Sequence, residues 1–480
     1  MNPIQDFRDS GNCRKQIFFA LLLTVVLGIP ACGRAGGNTP CSTSEEGVLT
    51  YAALNPLTSV QKRRILNFNK NHTDIQIEVL DYSDEGGIDR LLTELAVGKV
   101  PDIMELHRLG SGKDTSFAYM AEKEFSEEEY WMPYRQLARK GYLENLWPYI
   151  ENDPELGREG LLEAPMKAAE VDGGLYTIFK EISINTLIGE ESVVGDRDGW
   201  TLEELMETFA DMPEDSTILR YNTTRREMYS KLFCTTLERY IDWETGQCFF
   251  NCDEFRNMLE FLYTFPSKFE TGFTSDEMEE EVFWRRVNGE QMLESILVYW
   301  LLNIPYVDTT FGGNRVAYVG YPTVDGSSGS FFYVHGTVLA MSSVCQNKEA
   351  AWEFMGYLVR QAYSTSSMKS AHWDESVKLP VNRKDFKLGN ISDLNERKND
   401  LPNMFTFRDG PIIRVDPPTK EDLQRFEKLI NNTTQIYWPD DDLSETVWEA
   451  IGPYFAGDKT MDETIRLVQS RVKLYVNENR

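Results

Sequence analysis

Histidine is scarce in this 480-residue chain: four occur, at 72, 107, 335 and 372. No two of them stand three or four residues apart, which excludes a helical His-x-x-x-His metal site. GxGxxG, GxSxG and CxxC do not occur. Gly112-Lys113 is followed by Asp114, where a phosphate loop needs Ser or Thr to reach magnesium, so that stretch reads as an ordinary loop. Asp242, Glu244 and Gly246 suggest a calcium loop, but the glycine falls one place early and no Glu closes the twelfth position. A tight hairpin turn is expected there instead. Neither a metal nor another cofactor is expected.

Positive charge is also in short supply. Lys and Arg total 49 against 77 Asp and Glu, a net −28, and the longest basic cluster is Lys62-Arg63-Arg64. A surface of that sign repels phosphates, so nucleic acid is excluded as a partner. Seven cysteines occur, at 13, 32, 41, 234, 248, 252 and 345. Setting aside the first two as processed or acylated leaves an odd number, which cannot complete a disulfide framework. Cys248 and Cys252 could pair in an oxidising exterior, but two small buried thiols are the favoured reading.

Long apolar runs are limited to one. Ile17 to Ile29 is uncharged, follows Arg14-Lys15 and ends at Pro30-Ala31-Cys32-Gly33. Its thirteen residues fall short of the roughly 20 that span a bilayer as a helix and match the core of a secretory signal. Ile29-Pro30-Ala31-Cys32 resembles a lipobox, with proline at the second position as a departure from the usual pattern. Residues 1–31 are therefore expected to be a signal peptide, Cys32 the lipidated first residue, and 32–46 a Gly/Ser/Thr/Asn-rich tether. Such a chain would sit on the extracellular face of the cell membrane, attached through its anchor alone.

Beyond residue 47, periodicity predicts a β-α-β-α-β start. Val48 to Ala53 is a strand, Ile75, Ile77 and Val79 alternate, and Val100 to Met104 is a third strand. Between the last two, Ile88, Leu91, Leu92 and Leu95 mark one helix face, ended by Gly98. That order calls for a parallel sheet whose ligand crevice lies beyond the carboxyl ends of the strands, at loops 54–57 and 105–110. Asp172-Gly173-Gly174 reads as a turn before a strand at Leu175 to Ile178. Capping boxes are expected at Thr201/Glu204, Asn251/Glu254 and Thr460/Glu463, each ahead of an apolar helical stripe.

Aromatic residues stand repeatedly in polar company: Tyr299-Trp300, Tyr306, Tyr333 near His335, Trp373 beside His372, and Tyr437-Trp438. Aromatic faces stack on the C–H faces of sugars while nearby polar groups bind hydroxyls. YIENDPEL (149–156), GWTLEEL (199–205), DWETG (242–246), GYPTVDGS (320–327), NKEAAWEF (347–354) and PYFAGDKTMDETIRLVQSRVKLYVNE (453–478) follow in that order. With them, nearly the whole chain from Gly47 resembles the extracellular solute-binding proteins (family 1) of bacterial ABC importers, the large sugar-binding family to which maltose-binding protein distantly belongs.

The resemblance implies an α/β, two-lobed, periplasmic-binding-protein-like fold with a hinge and an inter-lobe ligand cleft. It implies 47–180 with 322–378 as one lobe and 181–321 with 379–480 as the other, with crossings near Lys180 and Tyr321. It further implies a non-enzymatic, monomeric receptor that captures a small solute, an oligosaccharide, and delivers it to the permease subunits of an ABC transporter. The ligand neighbourhoods that it suggests are Asn55, the loop from Glu105 to His107, Tyr299-Trp300 and Trp373. The longer charged segment containing Lys123 to Tyr130 departs from the family pattern on one cleft rim. A secreted glycan hydrolase, an extracellular sensor subunit or an adhesin built on the same lobes stay open as alternatives, as do peptide or other polar ligands.

Overall fold

The segment Val48–Ala53 is apolar along nearly its whole length, the pattern of a strand covered on both faces. It forms the parallel strand β1 (Val48–Ala53), buried from Leu49 onward. The computed structural model describes residues 41–42, 47–109, 130–220, 223–233, 236–268, 275–360, 379–390, 405–406, 412–413, 415–438 and 441–479. Helix α1 (Ser59–Asn71) returns the chain to β2 (Gln76–Asp81), and α2 (Gly87–Ala96) returns it to β3 (Ile103–Glu105). β1 pairs in parallel with β2 and with β3, as the periodicity requires. Leu91, Leu92 and Leu95 are the buried face of α2, and Gly98 turns the chain at φ +82°. The predicted strand from Val100 to Met104 is broken, however. Pro101 has no N–H to give a ladder, and Val100 pairs outside the main sheet, opposite Ser42. Asp102 instead turns its carboxylate onto Thr50, accepting from its backbone N–H at 2.9 Å and its hydroxyl at 2.8 Å.

Helix α3 (Tyr134–Arg139) is followed by a small hairpin, Glu170–Val171 against Gly174–Leu175, turned at Asp172-Gly173. The chain then enters the long strand β4 (Ile178–Glu190). β5 (Leu293–Val298), β6 (Val316–Tyr318), β7 (Phe331–Met341), β8 (Leu379–Pro380) and β9 (Gln435–Ile436) complete a nine-stranded mixed sheet. Its main order is β5-β4-β7-β3-β1-β2. β4 and β7 are the strands shared by both ends: Leu339–Met341 of β7 pair with β3, whereas Ile184–Gly189 of β4 pair with β5. Midway along their common ladder, Phe179 faces Val338 and Glu181 faces His335, so Gly336 and Thr337 stand against Lys180 alone. This is a β-bulge, and Gly336 takes φ +71° within it, a conformation that a Cβ disfavours.

Further helices include α4 (Leu202–Ala210), α5 (Arg225–Phe233), α6 (Asp253–Tyr263), α7 (Lys420–Asn432), α8 (Asp441–Phe455) and α9 (Met461–Asn479). The boxes at Thr201/Glu204 and Thr460/Glu463 form, each hydroxyl accepting the N–H three residues on while the Glu carboxylate accepts from the cap. The expected box at Asn251/Glu254 does not. Cys252 occupies the cap position of α6 with no side-chain cap bond. Glu254 is taken by the Tyr240 hydroxyl at 2.8 Å, and Asn251 accepts from Arg256. Residues 241–248 form the expected tight hairpin, Gly246 N–H closing onto the Asp242 carbonyl. Cys248 and Cys345 are buried free thiols and Cys252 is a half-buried one.

Candidate ligand cleft

The loops after β1 and β3 meet through one buried carboxylate. Glu105 is 1% exposed and accepts four hydrogen bonds. They come from the Tyr51 hydroxyl at 2.5 Å, Leu54 N–H at 2.7 Å, Asn55 N–H at 3.0 Å and Asn55 Nδ2 at 3.0 Å. Asn55 Nδ2 also donates to the His107 carbonyl at 2.8 Å, and its Oδ1 accepts from Leu109 N–H at 2.8 Å. Burial pushes the Glu105 carboxyl above the ordinary carboxylate range, although its donors pull the other way. Burial together with the Glu105 charge pushes the Tyr51 phenol well up. Asn55, Glu105 and His107 are thus brought together at the strand ends, with Asn55 half-buried and the other two in the core.

His107 leads into a wall of rings. Its imidazole stacks on Trp131 at 3.8 Å, nearly parallel. Trp131 meets Tyr333 and Tyr437 edge-on, both at 6.0 Å, and those two stack on each other at 5.3 Å. Tyr333 belongs to one face of the bulged ribbon. Cross-strand pairs Glu181/His335, Ser183/Tyr333 and Asn185/Phe331 put all six side chains on that face, since directly opposed residues share a side. Ile182, Ile184, Phe332 and Val334 take the other face and are fully buried. Hydrogen bonds order the polar row: Ser183 Oγ lies 2.8 Å from His335 Nε2, and the Tyr321 hydroxyl donates to Asn185 Oδ1 at 2.6 Å and lies 2.7 Å from Ser295 Oγ.

Tyr299 and Trp300 reach the same neighbourhood from β5. Its register ends at Val298 opposite Ile184, so the chain leaves the sheet at the level of Ser183. Asn303 Oδ1 fixes this exit by accepting from the N–H of Tyr299 at 3.0 Å and of Trp300 at 2.9 Å. Both side chains are half-buried, as are Asn185, Ser295, Tyr333 and His335. Trp373 and Cys32 lie outside the described residues. Sequence reasoning passed over Trp131, Ser183, Asn185 and Ser295, and named Tyr321 only as a crossing between lobes. The signal for two of these was present in KEISINT (180–186), where Glu181, Ser183 and Asn185 alternate with isoleucines inside an otherwise apolar strand. Among the described residues, no group of three or more His, Cys, Asp or Glu side chains could hold a metal ion, and no helix is long and apolar enough to cross a membrane.

No family profile matches the sequence, and no curated protein does. Solved structures do match in shape. The sugar-binding protein MalE from Xanthomonas citri is 14% identical, with 90% of this chain and 97% of that one covered at a TM-score of 0.50. A periplasmic oligogalacturonide-binding protein from Yersinia enterocolitica is 14% identical, with 90% and 100% covered at 0.52. A designed esterase is 15% identical, with 91% and 100% covered at 0.50. Identities this low speak to architecture alone. The chain has the two-lobed α/β fold of the MalE-type extracellular solute-binding proteins.

Proposed function

We propose that this protein is a lipid-anchored extracellular receptor that captures an oligosaccharide between its lobes and passes it, chemically intact, to an ABC permease. The observation that carries the reading is the set of half-buried rings, hydroxyls and amides gathered at one face of the sheet: Asn185, Tyr333 and His335 on the shared strands, Ser295 on β5, and Tyr299 and Trp300 where the chain leaves β5. Rings supply area for sugar C–H faces, and the polar groups supply direction. The sugar-binding and oligogalacturonide-binding proteins of the same fold support the choice of ligand. In this reading the lobes divide at the bulge, Lys180 on one strand and Gly336-Thr337 on the other, because a bulge is where a ribbon bends most easily. Tyr321 is then a fixed part of the second lobe, tied to Asn185 and Ser295. Asn55 would line the first lobe's rim, with Glu105 and His107 supporting it from below.

The test is a thermal-shift screen of the purified chain against oligosaccharides, including maltotriose and trigalacturonate, with product analysis of each mixture. A ligand selective for the folded form raises its apparent stability. No shift with any oligosaccharide ends the carbohydrate reading, and released products would favour a hydrolase. The Ser183–His335 contact is the feature a hydrolase could use, but Ser183 is fully buried. Metabolic labelling with a fatty-acid precursor checks the anchor at Cys32. For the site, Trp300→Ala is expected to weaken binding of the best oligosaccharide at least about tenfold with little change in Tm. Equal affinity in calorimetry would remove Trp300 from the cleft.

A further inference from the structure

Helix α3 belongs to the first lobe by its connections. Met132 N–H donates to the Leu106 carbonyl just ahead of it, and Glu144 N–H donates to the Met341 carbonyl just after it. The 3-10 turn at Leu237–Tyr240 belongs to the second: Tyr240 packs on Phe250 and Phe255, and the preceding α5 is tied to α8 through the Tyr229 hydroxyl on the Ser444 carbonyl. Across this division Arg135 Nη1 lies 3.1 Å from Glu238 Oε2, with the two side chains only 21% and 24% exposed. Immediately before Arg135, a second contact comes from the other side. The Trp438 indole N–H donates to the Met132 carbonyl at 2.8 Å, and its ring lies 4.1 Å from Tyr134. Trp438 follows β9, which pairs with the second-lobe end of β7.

We propose that the Arg135–Glu238 ion pair, seated beside the Trp438 contact, is a clasp that holds the two lobes together and sets how much of the ligand-free population is closed. This rests on the two-lobed receptor reading. The physical reason is that the pair is mostly withdrawn from water, so it is screened less than an exposed pair. Opening returns both charges to water while closing joins them. A hinged protein responds to any contact made in one state only, and apparent ligand affinity scales with the competent fraction.

The test uses the full soluble chain without any sugar. Small-angle scattering should show a larger radius of gyration for Arg135→Gln and for Glu238→Gln than for the parent. The exchanged variant Arg135→Glu/Glu238→Arg should return toward the parent. Arg135→Lys keeps the charge and loses the planar fork, and should fall between; it serves alone if the glutamine variants do not fold. Circular dichroism confirms folding in each case. With any sugar that binds, the single variants should bind about tenfold more weakly, mostly through faster release. Identical scattering for parent, Arg135→Lys and the glutamine variants overturns the clasp. Failure of every sugar to bind would count against the receptor reading alone, because the scattering comparison needs no ligand.

Discussion

Glu105→Leu should destabilise the protein by about 3–5 kcal/mol, whereas Glu105→Gln should cost less than about 1.5 kcal/mol. The leucine variant removes the acceptor from four donors: the Tyr51 hydroxyl and Leu54 N–H in the core, and the N–H and amide of half-buried Asn55. Each buried donor left without a partner costs about 1–3 kcal/mol, partly relieved by relaxation. Glutamine can avoid this. Its carbonyl oxygen can take the position of Oε2, which accepts the three N–H bonds, while its NH2 faces the Tyr51 hydroxyl, which can turn to accept. Tolerance of a neutral isostere also agrees with a carboxyl that burial pushes up. A raised folded-state pKa means that the native state holds the proton more tightly than the unfolded chain. This group alone therefore makes stability fall as pH rises from the ordinary carboxylate range through the raised value. Urea midpoints of parent, glutamine and leucine variants check the order, and a leucine variant as stable as the glutamine one would refute it. Under the proposed receptor reading, sugar binding should also be lost in the leucine variant, since Asn55 loses its anchor on Glu105.

The sequence makes legible what is local and periodic. The β-α-β-α-β start follows from runs such as VLTYAA and the four-residue stripe of α2, because burial of one helix face or both strand faces leaves its period in the chain. Two of the three capping boxes form because the partners lie three residues apart and nothing competes for them. The third fails for a tertiary reason: Tyr240 and Arg256 claim its two side chains. Likewise Pro101 splits a strand that hydropathy alone extends. That Asn55 and Glu105 meet at the strand ends is legible because the β-α-β-α-β order brings the ends of β1 and β3 together. Trp131 and Tyr333, or Asn185, Tyr321 and Ser295, meet only after distant strands have paired. No spacing in the chain encodes a register between residues so far apart.

Glu294→Ala is expected to cost about 3–5 kcal/mol at neutral pH, the usual loss when one member of a buried charge network is removed. Glu294 is 3% exposed on β5 and holds two cations. Arg220 Nε lies 2.7 Å away and Arg286 Nη1 3.0 Å away, while Gln291 Nε2 donates at 2.9 Å. Without the carboxylate, Arg286, itself only 8% exposed, loses its ion pair while Arg220 loses the short contact to the same group. Burial works against the charged form of Glu294, but Arg220 and then Arg286 outweigh it and hold the carboxyl below its ordinary range. The sign is therefore opposite to that of Glu105. A depressed folded-state pKa contributes stability that is fully present above the unfolded value, about 4.3, and lost as pH falls through the folded one. Acid should unfold the parent partly by protonating this group. Glu294→Gln should keep the shape of the network, lose its charge balance, and flatten the acid limb of a stability–pH curve measured by urea titration. An unchanged acid limb in that variant would show that the two arginines do not depend on Glu294 for their pairing. The same curve separates the two carboxylates, because their signs and windows differ: Glu294→Gln should remove a rise of stability with pH below about 4.3, whereas Glu105→Gln should remove a fall of stability with pH above it.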